Sequence, residues 1–324
     1  MTIAAVLVAY AACTGTLGSR MLGRASWTAR APLLAIVTYL AAGWSVVAAL
    51  GLAGLTLAVH APAISGGLSH LIGACVLRLR ATYATPGGAA VAGAGLVLAG
   101  AVAVRTALTA ASHLRVTRRQ AQRHARTARL VGRPEPDLGA VLVEHSQPAA
   151  YCVAGRHPTV IVTTGALQAL APGQLDAVLA HERAHLAWRH HRLLAMARIS
   201  RRTLPFLPLM RDAEVQVERL VELHADDAAT QARDPASLAT ALVVLAAAST
   251  SAPAPVPAAP APVLASAATD AVQRIHRLLR PAEPLGRSRR LLLRAAAAAL
   301  VLGPLAIALT PAVLALVLGR VPHA

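Results

Sequence analysis

The sequence predicts a mainly α fold: four transmembrane helices, with a small α+β domain inserted between the third and the fourth. Three observations carry this. Hydrophobic residues make up 56% of the 324 residues but aromatic ones only 2%, so Ala, Leu and Val supply nearly all the apolar content. Runs of that kind suit helices in lipid better than a soluble core. All 14 acidic residues fall between His113 and Arg290, the one stretch that reads as water-soluble. The basic residues are all Arg, give a net charge of +17, and gather beside the apolar runs.

The elements follow in order. Met1 to Ser19 carries no charge and is long enough to cross a bilayer, which takes roughly 20 residues. No basic residue precedes it, which argues against a secretory signal. Pro32 to Val59 is a second uncharged span. Ala89 to Ala111 is the third, with Arg105 near its end, expected to reach for the headgroups. Leu291 to Gly319 is the fourth; Pro304 and Pro311 inside it are tolerable where neighbouring groups satisfy the freed carbonyls. The expected domains are residues 1–111 (three spans), 112–248 (the inserted domain), 249–290 (an Ala/Pro-rich linker and short amphipathic helix) and 291–319 (the last span).

Arginine placement sets the expected orientation. Arg20, Arg24 and Arg30 lie in the first loop, and only Arg78 and Arg80 in a second loop twice as long. Arg115, Arg118, Arg119, Arg123, Arg126, Arg129 and Arg133 follow the third span, and Arg287, Arg289 and Arg290 precede the fourth. The positive-inside rule puts the inserted domain in the cytoplasm and both termini outside. On a helix the seven arginines from Arg115 to Arg133 fall within an arc of about 140°. Beside a membrane span, such a stripe fits anionic headgroups. Direct nucleic-acid binding is not expected, because no aromatic residues are interleaved to stack on bases. Cys13, Cys75 and Cys152 are too scattered for a disulfide framework or a CxxC knuckle.

Within the inserted domain, Ala140 to Val143, Ala149 to Val153 and Thr159 to Thr163 read as short strands, with a turn over Gly155 to Pro158. A helix opens at Pro172 and is expected to run to about Arg201; a second covers roughly Asp212 to Ala232. Thr203 to Met210, between them, is too short to span and reads as a connector or an interfacial loop. Ser249 to Ala268 reads as an extended or disordered linker, and Thr269 to Arg280 as the amphipathic helix.

The first of these helices contains His181-Glu-Arg-Ala-His185, an HExxH pattern. Composition alone gives about 0.01 such pentamers in a chain of this length. Two His four residues apart project from one helical face, where both rings can reach one Zn²⁺. Glu182 lies about 100° around the helix, where it can take a proton from an attacking water and pass it to a leaving amine. Catalytic zinc wants a third protein ligand and an open position. The next helix offers Glu222-Leu-His-Ala-Asp226, an ExxxD spacing. Glu222 can be that ligand, and Asp226, on the same face, can accept the outer N–H of a ligating His. His190 and His191 fall off the ligand face on a continuous helix and read as surface or packing residues. His224 is a candidate substrate contact.

These residues resemble the membrane-bound gluzincin metallopeptidases of the HtpX and CAAX-protease type, and still more the β-lactam sensor-transducer (antirepressor) branch of that fold. The likeness runs through Thr159 to Gly165, Leu175 to His185 and Val221 to Asp226. It implies an α+β zincin (gluzincin) domain and a zinc metalloendopeptidase, with one Zn²⁺ per chain on His181, His185 and Glu222 and with Glu182 as the base. It also implies that the strand bearing Val160, Ile161 and Val162 is the edge on which a substrate peptide lies. The penicillin-binding sensor domain of that branch is not expected here, because no SxxK motif stands between the fourth span and Ala324. The expected substrates are cytoplasmic or membrane proteins, a transcriptional repressor among them. The competing reading is a non-catalytic membrane transducer or scaffold with a structural zinc site; retention of Glu182 argues against it.

Overall fold

Uncharged Ala/Leu/Val runs close their backbone hydrogen bonds internally, which makes them helices in an apolar surround. In the computed structural model, which describes residues 2–58, 88–155, 158–251, 261–280 and 283–318, the chain is mainly helical. The helices are α1 (Thr2–Gly23), α2 (Pro32–Ala58), α3 (Gly88–Val131), α4 (Thr164–Ala169), α5 (Pro172–Ala187), α6 (His190–Thr203), α7 (Pro208–Ala229), α8 (Pro235–Ser251), α9 (Ala261–Leu279) and α10 (Arg287–Leu318). The strands are β1 (Arg133–Glu135), β2 (Ala140–Val143), β3 (Ala150–Val153) and β4 (Thr159–Thr163). Among the described residues four helices, α1, α2, α3 and α10, are long and apolar enough to cross a membrane. The loop carrying Arg78 and Arg80, the turn residues Arg156 and His157, residues 252–260 of the expected linker and the chain from Gly319 lie outside the described residues.

The apolar helices meet closely. Where α2 crosses α3, a Cβ on Gly54 would stand 2.6 Å from the Gly95 oxygen, and one on Gly95 would stand 2.6 Å from the Gly54 oxygen. Backbone cannot yield as a side-chain tip can, so the crossing depends on both glycines. Gly54→Leu should cost about 1–3 kcal/mol by overpacking. Thermal unfolding in detergent reads this as a lowered midpoint; an unchanged midpoint would show that the crossing is dispensable.

Three expectations are revised by the structure. The helix from Pro172 does not run on to Arg201: it ends at Ala187, and α6 begins at His190 after a left-handed residue, Arg189 (φ 52, ψ 42). The turn between α6 and α7, expected as a connector or an interfacial loop, packs onto the apolar helices. Leu207 packs against Gly15 of α1 and Met210 against Gly43 of α2, and Leu209, Met210 and Val217 share one buried cluster with Leu7, Ile36 and Tyr39. Seven apolar residues, Leu204 to Met210, explain why the turn lies among the apolar helices. Arg105 does not reach for headgroups either. Its Nε donates to the Thr203 carbonyl at 2.7 Å and its Nη2 to that of Arg202 at 3.1 Å, capping the end of α6. A cation suits a helix C-terminus, where carbonyls lack partners.

The sheet has the order β1-β2-β4-β3, with β2 parallel to β4 and the outer pairs antiparallel. Thr163 ends β4 and caps α4, its hydroxyl accepting from the Ala166 N–H. Gly165 follows because any Cβ there would run into the Ser146 carbonyl. Pro172 then starts α5 at its first turn, and Gln174 accepts from the Ala171 N–H, holding the helix entry. Leu175, Val178 and Leu179, spaced i, i+3, i+4, bury that helix in a second core with Val160, Val162 and Leu238. The other face of α5 is left for chemistry.

Two further boundaries shift. The second helix of the domain is α7, which opens at Pro208 and stops at Ala229. The stretch from Ala261 is helical, so part of the expected linker belongs to α9.

Candidate metal centre

His181 and His185 stand one turn apart on α5, and Glu222 faces them from α7. The two Nε2 atoms are 3.1 Å apart; Glu222 Oε2 is 3.5 Å from His181 Nε2, and Oε1 is 3.5 Å from His185 Nε2. One ligand atom from each of the three lies within 4.8 Å of the others, the one such group among the described residues. These separations test whether zinc fits. Tetrahedral bonds of 2.0–2.1 Å set ligand atoms about 3.3 Å apart. The donor set also has the right chemistry, with two imidazole nitrogens and one carboxylate oxygen converging on one point, so the residues fit the ion.

Around these three stands a charged frame. Asp226, fully buried one turn beyond Glu222, has Oδ1 3.0 Å from His181 Nδ1, the nearest partner of a buried nitrogen that makes no well-aligned hydrogen bond. Arg274 of α9 grips Asp226 with two hydrogen bonds, Nε to Oδ2 at 2.8 Å and Nη2 to Oδ1 at 2.7 Å. Its Nη1 also lies 3.0 Å from Glu222 Oε2. Beside it, Arg277 pairs with Asp227 at 2.7 Å. Arg274 and the His181 ring both face the buried Asp226 carboxylate, so its charge is paired, which makes its burial tolerable.

The protonation states follow from this frame. Burial works against a charge on His181, but the neighbouring carboxylates of Asp226 and Glu222 outweigh it and raise the ring to about 9. Burial pushes His185 down to about 4. For Glu222, burial is overcome by the His181 hydrogen bond and by Arg274, which hold its carboxyl at about 2.

Glu182 lines a cleft together with Ala150, His181, Glu222 and Arg274. Burial raises its carboxyl above the ordinary range, with the positive His181 pulling the other way. Cys152 of β3 faces it, and burial followed by the Glu182 charge pushes that thiol up to about 12, so it stays neutral and able to donate.

Two sequence expectations are corrected here. β4 is not an edge strand: it pairs with β2 on one side and β3 on the other, and Val160, Ile161 and Val162 are buried. Its backbone has no free row of donors and acceptors for a substrate peptide. The outer strand beside α5 is β3. His224 is also no free substrate contact; it is buried, with Nδ1 2.9 Å from His190 Nε2 and its ring edge-on to Trp188. His190, expected off the ligand face in a surface or packing role, is 1% exposed and lies 3.0 Å from His185. Arg274 had no assigned role, although a buried carboxylate such as Asp226 calls for a cation, and the amphipathic segment Thr269 to Arg280 supplies it.

Residues 114–210 match the model of peptidase family M48. The match begins inside α3, takes in the sheet and the whole of α5, and ends before Glu222. It supports a membrane-type gluzincin metallopeptidase of the HtpX-like group, a group of zinc proteases. No curated protein and no solved structure matches the chain.

Proposed function

We propose that this chain, carrying a peptidase family M48 domain next to its apolar helices, is a zinc-dependent endopeptidase. It hydrolyses peptide bonds of cytoplasmic or membrane proteins, a transcriptional repressor being one candidate. The observation that carries the reading is the convergence of His181, His185 and Glu222 at 3.1–3.5 Å with Glu182 in the adjoining cleft. In this reading the three hold one zinc ion per chain. Zinc in such a set supplies Lewis acidity toward a peptide carbonyl and the attacking water.

The chain's own residues do the rest. Glu182 takes a proton from the water as its oxygen bonds to the carbonyl carbon, then gives it to the nitrogen as the C–N bond breaks. Asp226 keeps the His181 ring turned with Nε2 toward the cleft. Arg274 keeps Glu222 ionised and ready to bind a cation. An extended substrate adds to the free edge of β3, which brings its backbone past Glu182. By the positive-inside rule this happens at the cytoplasmic face, with both termini outside. The alternative, a scaffold with a structural zinc site, does not account for a carboxylate with a raised pKa in the open cleft.

The test is direct. Protein purified in detergent should hold about one zinc per chain by elemental analysis and cleave casein. A strong chelator should abolish cleavage, and added zinc should restore it. Zinc at unit stoichiometry with no cleavage of casein or of membrane-protein substrates would favour the scaffold.

A pH dependence follows as well. A ligating His must be unprotonated at the binding nitrogen, while the metal-free frame holds His181 up to about 9. At pH 7 zinc uptake therefore expels about one proton, and affinity should rise by about tenfold per unit from pH 7 towards 9. Calorimetric titration in buffers of different ionisation enthalpy measures that proton. Buffer-independent heats would show that His181 is already neutral.

A further inference from the structure

His181 has a carboxylate, Asp226, at its outer nitrogen; His185 has none. Its Nδ1 instead lies 3.0 Å from His190 Nδ1, and His190 Nε2 lies 2.9 Å from His224 Nδ1. Three imidazoles thus run in series from the candidate metal centre to the Trp188 ring.

The backbone makes a special effort to build this row. On a continuous helix, His190 would stand about 140° around from His185 and 7.5 Å further along the axis, out of reach. The break at Trp188–Arg189 folds it back, with Arg189 in the left-handed region at φ 52. A non-glycine residue there costs roughly 1–2 kcal/mol. Strain of this sort, beside a cleft, points to a purpose rather than to chance.

The proton count along the row has consequences. Each neutral imidazole carries one N–H, so the row can be filled in only two directions. In one, His185 donates from Nδ1 to His190, and His190 donates from Nε2 to His224; the His185 Nε2 lone pair then faces Glu222 and His181, ready for a cation. In the other, every proton points inward, and Nε2 of His185 carries hydrogen where the ion should sit. A bound cation excludes the second filling.

We infer that His190 is a positioning residue that holds His185 in its metal-binding tautomer by accepting its Nδ1–H, with His224 fixing His190 in turn. The inference rests on the reading of His185 as a zinc ligand. It does for His185 what Asp226 does for His181, without adding a negative charge beside the ion.

The experiment compares wild type, His190→Leu, His190→Asn and His224→Phe in the full-length, detergent-purified chain. Zinc affinity is measured by competition with a chelator, and the ligand field by the visible spectrum of the cobalt-loaded protein. Asn keeps an acceptor near the position of Nδ1; Leu keeps bulk alone. His190→Leu should weaken zinc by about 10–100-fold and shift the cobalt bands, while His190→Asn should stay within about threefold of wild type. His224→Phe keeps the edge-on contact with Trp188, and its loss should be smaller than that of His190→Leu. If His190→Leu fails to fold, His190→Asn and His224→Phe decide on their own: an Asn variant weakened more than tenfold overturns the inference. So does a folded Leu variant with wild-type affinity and spectrum, which would make His190 an ordinary core histidine. A wild type that takes up no zinc overturns the metal site itself and this inference with it.

Discussion

Glu182→Gln should lower kcat/KM for protein cleavage by about 10²–10⁴-fold and leave bound zinc unchanged. Glutamine has the same shape and hydrogen-bonding reach, but it cannot take a proton. Glu182 is not among the three converging donors, so its loss as a base leaves the ion's seat intact. The pH profile sharpens the test. Burial raises the Glu182 carboxyl, and a base works only when ionised. The acid limb of the wild-type profile should therefore lie above the ordinary carboxylate range, with activity lost as pH falls through it. The residual activity of the variant should lack that limb. Two results would sink the role: a Gln variant that cleaves within about threefold of wild type, or one that loses zinc as well as activity. The same variant, inactive yet able to bind, is the natural trap for substrates in native cells.

How much of this was legible in the sequence depends on how local the signal was. The four apolar helices are written as long runs with at most one or two charges, and a run of about 20 apolar residues has few other fates. The spacing of His181 and His185 is equally local, because a helix fixes what lies at i and i+4. The facing of Glu222 toward them is a tertiary fact, but the ExxxD spacing downstream of an HExxH helix pointed to it. The misses arise where a chain leaves its regular period. Arg189 breaks the helix with no Gly or Pro to mark it, so a helical count carried past Ala187 put His190 on the wrong side. Strand order is not local either. TVIVT reads as a strand whether it lies at an edge or in the middle, and only the parallel pairing with β2 makes β4 interior. Arg274 stands 48 residues from the carboxylate it grips, beyond any periodicity.

The second large effect belongs to that grip. Asp226→Ala should destabilise the fold by about 3–5 kcal/mol, the usual cost of breaking a buried pair by removing one partner. The carboxylate is fully buried and serves two groups at once, Arg274 through two hydrogen bonds and His181 through its Nδ1. Its removal strands the guanidinium against Glu222 alone and leaves the His181 ring free to turn. Zinc affinity should therefore fall by about 10–100-fold besides. The cost is a stranded charge rather than a lost attraction, and a second substitution separates the two. Adding Arg274→Met should recover part of the stability, because an apolar side chain of similar length needs no counter-charge. Acid behaviour provides an independent check. Burial would raise the Asp226 carboxyl, yet Arg274 and His181 hold it down at about 2. A depressed folded-state pKa contributes stability that is fully present above about pH 4 and is lost as pH falls from there towards 2. The Ala variant should lack this part of the acid dependence. Denaturant titrations of the single and double variants at pH 7 and pH 3 measure all three terms. A single variant as stable as wild type at both pH values would mean that the frame around the ion is not held by Asp226.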